Sequence, residues 1–175
     1  MEPLEFDDDI KPGGKVPKPW ALTGASGREA LSVKSLFLGQ NEKSLERHNE
    51  KLQEKYREIV RSETEAELYM IDDAEKILVA YGSMGRIARS CVDALREGGQ
   101  KVGLVRPKTL WPFPSADIKA AAARGAKFLV VEMSAGQMVE DVRLAVSDDS
   151  RVLFYGRAGG GIPREEAIMK KVREL

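Results

Sequence analysis

The chain has 175 residues, and its 28 Lys plus Arg balance 28 Asp plus Glu, so it lacks the basic footprint of a nucleic-acid-binding protein. Cys91 is the only cysteine and His48 the only histidine, which leaves no ligand set for an iron–sulfur cluster or a conventional zinc site on this chain. No apolar run approaches the roughly 20 residues that span a bilayer, and the start MEPLEFDDDI has neither a basic nor an apolar leader region, so a soluble, cytoplasmic chain is expected.

Residues 1–40 carry Pro3, Pro12, Gly13, Gly14, Pro17, Pro19, Gly24 and Gly27, a density of breakers that prevents long regular structure. Phe6, Trp20, Leu31, Val33, Leu36, Phe37 and Leu38 are nonetheless costly to leave in water, so the segment reads as an extended arm or linker lying on another surface. From 41 to 66 the apolar positions Leu45, Leu52 and Ile59 recur every seven residues, with Tyr56 and Val60 on the same side, which predicts an amphipathic helix. Charged neighbours three apart (Arg47 with Glu50, Lys51 with Glu54, Lys55 with Glu58) suit its wet face. Two and a half heptads are too few to require a coiled coil.

The remainder, 67–175, alternates short apolar runs with helical spacing. Leu68–Ile71 is a short strand before a turn at Asp72-Asp73, and Ile77–Tyr81 is a second. Met84, Ile87, Ala88, Cys91, Val92 and Leu95 then follow a helical period until Gly98-Gly99. Val102–Val105 is the next strand; Ser115 is the expected N-cap of a helix through Ile118, Ala121 and Ala122, which Gly125 ends. Phe128–Val131 is a fourth strand, and Met138, Val142 and Val146 share one helix face. Val152–Tyr155 is the last strand, and Pro163 suits the first turn of a closing helix with Ile168, Val172 and Leu175 inward. Strands joined through helices make right-handed crossovers and parallel neighbours, so this part is a three-layer α/β/α domain.

The turns after the strands are Gly82-Ser83-Met84-Gly85-Arg86, Glu132-Met133-Ser134-Ala135-Gly136-Gln137 and Gly156-Arg157-Ala158-Gly159-Gly160-Gly161. None has dinucleotide-fingerprint or phosphate-loop spacing. In order, however, AYGSMGRIARS, ALREGGQKVGLVRPKTLWPFP, KFLVVEMSAGQMVEDVRLAV and FYGRAGGGIP resemble the C-terminal part of the alpha subunit of 2-oxoacid:ferredoxin oxidoreductases of the 2-oxoisovalerate and 2-oxoglutarate type. WALTGASG and EKYREIVRSETEAELYMIDDAE extend the resemblance over nearly the whole chain.

The resemblance implies a domain similar to the C-terminal domain of transketolase, with five mostly parallel strands in the order 1-3-2-4-5 and the first antiparallel. That order puts the topological switch between the strands ending at Gly82 and Glu132, so Ser83, Met84, Glu132, Ser134 and Gln137 are expected to share a crevice. It also implies a complex that decarboxylates a 2-oxoacid on thiamine diphosphate, passes electrons through iron–sulfur clusters to ferredoxin, and releases an acyl-coenzyme A. The pyrimidine-binding part of the alpha subunit lies upstream of this segment in that family, the diphosphate and Mg are held by a Gly-Asp-Gly signature on the beta subunit, and the clusters lie on further chains, the gamma subunit among the partners. This sequence has no such signature and no cluster cysteines. It is therefore expected to be catalytically silent alone and to hold no cofactor or metal, acting in dimerisation and at subunit interfaces.

Single residues carry two readings each. Glu132 ends an apolar strand, where a carboxylate is ordinarily a helix cap or a surface acceptor rather than an acid–base catalyst, so it is kept as a crevice residue. Gly136 and Gln137 suit either a tight turn, the amide satisfying backbone groups, or contact with a partner. Trp111-Pro112-Phe113-Pro114 is a rigid aromatic turn that either seals a core edge or anchors an interface through Trp111 and Phe113. Arg86, Arg106 and Arg157 could meet an anion such as a coenzyme A phosphate, against the ordinary reading of surface salt bridges. Cys91 reads as a small buried hydrophobe and His48 as a solvated helix residue. The competing functional reading is an independent regulatory module that binds a nucleotide or anion; a stand-alone enzyme is disfavoured because no activated nucleophile or base pair is evident.

Overall fold

A computed structural model of the chain describes residues 17–22, 24, 27–30 and 42–175. The chain divides into two compact units, Met1–Asn49 and Glu50–Leu175. In the first, Trp20 and Leu22 are exposed and Arg28 donates from Nη2 to the Ala21 carbonyl at 2.8 Å. The expected arm over 1–40 otherwise lies mostly outside the described residues.

Helix α1 spans Glu42–Glu63. Its half-buried residues between 45 and 63 are Leu45, Leu52 and Ile59, the predicted heptad stripe. It stops short of residue 66 because Ala66 already belongs to the sheet, and the Thr64 hydroxyl donates to the Val60 carbonyl at 2.7 Å, closing the last turn. Along its wet face Glu58 pairs with Arg61 rather than Lys55.

The second unit holds a five-stranded sheet: β1 (Ala66–Tyr69), β2 (Lys76–Val79), β3 (Val102–Pro107), β4 (Lys127–Glu132) and β5 (Val152–Gly156). The spatial order is β1-β3-β2-β4-β5, with β1 antiparallel to β3 and the other pairs parallel. β1 begins two residues earlier than expected and ends before Met70, whose φ of 51° breaks the strand. The Met70 carbonyl then lies so close over Gly103 that a Cβ there would approach it to 2.7 Å, so β3 needs a glycine at that crossing.

Helices α2 (Gly82–Glu97) and α5 (Glu165–Glu174) cover one face, α3 (Ser115–Ala123) and α4 (Met138–Val146) the other. Strand alternation sorts the core: Ile77, Val79, Val105, Phe128 and Val130 meet Ile118, Ala121, Met138 and Val142, whereas Leu78, Leu104, Leu129 and Val131 meet Ala88, Val92, Leu95, Ile168 and Val172. Each such Val, Leu, Ile, Phe or Met side chain fully removed from water contributes about 1.5–3 kcal/mol before the entropy of ordering it. Cys91 is a buried member of the α2 face, and burial pushes its thiol up to about 12.

Two helix starts differ from expectation. Pro114, not Ser115, is the N-cap of α3; the Ser115 N–H donates to the Phe113 carbonyl at 2.8 Å, which draws Ser115 into the first turn. Pro163 is buried just ahead of α5, whose N-cap is Arg164 with an extended ψ of 150°.

At the N-terminal ends of the parallel strands, cationic side chains close off backbone carbonyls. Arg96 donates to Met70 at 2.7 Å and to Val102 at 2.6 Å; Arg124 donates to Ile71 at 3.1 Å. Arg151 reaches Ala122 at 2.8 Å and Ala126 at 3.2 Å. Lys76 and Lys127, paired in register on β2 and β4, donate to the Val172 and Leu175 carbonyls at the end of α5. Apart from the β3 carbonyl of Val102, these are carbonyls of helix ends and turns, and at the helix ends the dipole also favours positive charge.

Candidate functional site at the carboxyl ends of the strands

β4 is apolar from Phe128 to Val131 and ends in Glu132, the one buried charged residue among the described residues, at 1% exposure. Its side chain turns back into the following loop. One carboxylate oxygen accepts the Val139 N–H at 3.0 Å and the Gln137 N–H at 3.3 Å; the other accepts the Met138 N–H at 3.2 Å, the Gln137 N–H at 3.2 Å and the Ser134 hydroxyl at 3.0 Å. The Ser134 hydroxyl oxygen in turn accepts the Gly136 N–H at 3.1 Å. A strand-end carboxylate thereby satisfies the first-turn donors of α4, where the helix dipole also stabilises it.

The loop closes against β5. The Arg157 N–H donates to the Glu132 carbonyl at 3.1 Å, and a Cβ at Gly156 would lie 2.4 Å from the Ser134 carbonyl and 2.3 Å from the Phe154 ring. Gly136 takes φ +109°, a conformation that side chains disfavour. Glu132, Ser134, Gly136 and Gln137 therefore form one hydrogen-bonded turn. Gln137 is the N-cap of α4, but its side chain makes no cap bond; only its backbone N–H takes part. The amide-capping role expected of Gln137 belongs to Glu132.

The other candidates contribute no side chain to this hydrogen-bonded turn, which Arg157 meets through its backbone N–H alone. Met84 is buried in the α2 face of the core, while Ser83 and Arg86 are exposed in the first turn of α2, which has neither a side-chain cap nor an acidic residue. Arg106 lies across Gly85, where a Cβ would come within 2.9 Å of its Cδ, and donates to Glu67 at 3.1 Å. Arg157 donates to the Ile162 carbonyl at 3.1 Å, closing its own glycine loop. Two of the three arginines proposed for an anion are thus committed within the domain.

Trp111 is 63% exposed, and its ring meets that of Tyr56 edge-on, centroids 5.8 Å apart. Leu110 and Val60 are exposed as well, whereas Phe113 is half-buried against the α3–α4 face. Position in the chain could not pair Tyr56 with Trp111. Nor did sequence reasoning find Glu67, whose carboxylate bridges Arg89 at 2.9 Å and Arg106 at 3.1 Å and ties β1 to α2 and β3. Beside it the Tyr69 hydroxyl donates to Asp93 at 2.7 Å, which raises its pKa, and the Arg89 guanidinium stacks 4.3 Å from the ring centre.

Among the described residues no three His, Cys, Asp or Glu side chains converge as a metal-binding set. Both oxygens of Glu132 are engaged by the domain's own donors, so the turn does not fit a cofactor that needs a free carboxylate. No helix among the described residues is long and apolar enough to cross a membrane.

This sheet order, with its reversed first strand, is that of a transketolase C-terminal-like domain. A solved split-gene transketolase, an inactive beta4 tetramer, shares the fold with a TM-score of 0.53 and 15% identity, over 63% of this chain and 40% of that one. The family model for pyruvate:ferredoxin oxidoreductase core domain II matches residues 74–168, and the chain belongs to the 2-oxoacid:ferredoxin oxidoreductase family. It is 45% identical to ketoisovalerate oxidoreductase subunit VorB of Methanothermobacter marburgensis over 156 residues, which is 89% of this chain and 44% of that protein. Against 2-oxoglutarate synthase subunit KorA of Methanothermobacter thermautotrophicus it is 34% identical, over 61% of this chain and 28% of that protein. A solved 2-oxoglutarate:ferredoxin oxidoreductase from Magnetococcus marinus, with 2-oxoglutarate, coenzyme A and succinyl-CoA bound, superposes with a TM-score of 0.69 and 26% identity, over 78% of this chain and 24% of that one. The chain spans about half the length of the VorB relatives it matches.

Proposed function

We propose that this chain serves as the C-terminal domain of the alpha subunit of a thiamine-diphosphate-dependent 2-oxoacid:ferredoxin oxidoreductase, working in assembly and interface formation rather than in bond-making. Its partners on this reading are the pyrimidine-binding part of the alpha subunit and the beta and gamma subunits, with ferredoxin reached through the complex. Those partners supply the thiamine diphosphate, Mg and iron–sulfur clusters. The observation that carries the reading is the complete engagement of Glu132: this carboxylate at the topological switch between β2 and β4 is spent on capping α4 and is not free for acid–base work. The exposed Trp111, Tyr56, Val60 and Leu110 then offer an apolar docking surface of the kind that carries interface energy.

Co-expression with the partner subunits followed by affinity purification tests this. The chain is expected to co-purify in a stable complex, and Trp111→Ala to weaken that association at least tenfold while shifting the melting temperature of the isolated chain little. The uncapped start of α2 beside Arg86 is what favours the regulatory anion-binding alternative. A chain that elutes alone at monomer size and binds a nucleotide tightly would replace the assembly reading with that one.

A further inference from the structure

We draw no further inference here: the strongest candidate, the exposed apolar cluster of Tyr56, Val60, Leu110 and Trp111 between α1 and the turn after β3, belongs to the docking surface already proposed, and nothing in the structure shows which partner covers it.

Discussion

The two ends of the sheet solve the same problem in opposite ways. At the N-terminal ends of the parallel strands, five cations from separate elements each quench one or two carbonyls, and most stay in partial contact with water. At the C-terminal ends of β4 and β5 one fully buried anion serves three backbone donors and a hydroxyl, beneath a glycine with no room for a methyl group. Distributed cations near the surface can be replaced by water; a single buried carboxylate cannot. The second arrangement concentrates structural dependence in very few atoms.

If that contrast is right, Glu132→Ala should be the most damaging of these substitutions. It leaves the Gln137, Met138 and Val139 donors without their acceptor, and should cost about 3 kcal/mol or more in urea unfolding. Glu132→Gln keeps one acceptor oxygen and should lose roughly half as much. A cost below about 1 kcal/mol for the alanine variant would put the two ends on an equal footing and break the comparison. Gly156→Ala should follow at about 2 kcal/mol, since the added methyl meets the Ser134 carbonyl, which is backbone, and not a yielding side-chain tip. At the opposite end Arg151→Met keeps most of the stem, removes the donors to Ala122 and Ala126, and should cost only about 1 kcal/mol.

The smallest effect is expected from acid. Two hydrogen bonds from Arg96, at 2.6 and 3.3 Å, hold the Asp73 carboxyl below its ordinary value of 3.8. A carboxyl lowered on folding contributes stability that is present above the unfolded value and lost as pH falls through the folded one. Asp73→Asn should therefore lower stability slightly at neutral pH and lose that deficit as pH falls below 3.8, which flattens the acid limb, measured by unfolding midpoints in a pH series. An unaltered acid limb would remove Arg96 and Asp73 from the list of contributing pairs.

Strand-end chemistry was partly legible in the sequence, because it is local. Glu132 sits a few residues from the donors it caps, so an acidic residue closing an apolar run before a glycine turn could be read as a helix cap. The core faces were legible for the same reason: the periods of Met84 to Leu95 and of Met138 to Val146 belong to single elements. The cationic end was not. Lys76 meets Val172 across 96 positions and Arg124 meets Ile71 across 53, and a long flexible side chain carries no pattern that names its acceptor. Small shifts at β1, α3 and α5 arose where a neighbouring element, rather than intrinsic propensity, fixed the boundary.

The junction between α1 and β1 has a mechanical consequence. Only Thr64 and Glu65 separate helix from strand, and the Glu65 carbonyl accepts the Lys108 N–H at 3.0 Å and the Thr109 N–H at 3.2 Å, while the Glu65 N–H donates to the Thr109 hydroxyl at 3.0 Å. The helix is thus bolted at its base to the sheet edge through the residues that also lead to Trp111. Whatever displaces Lys108 and Thr109 therefore displaces the base of α1 with them.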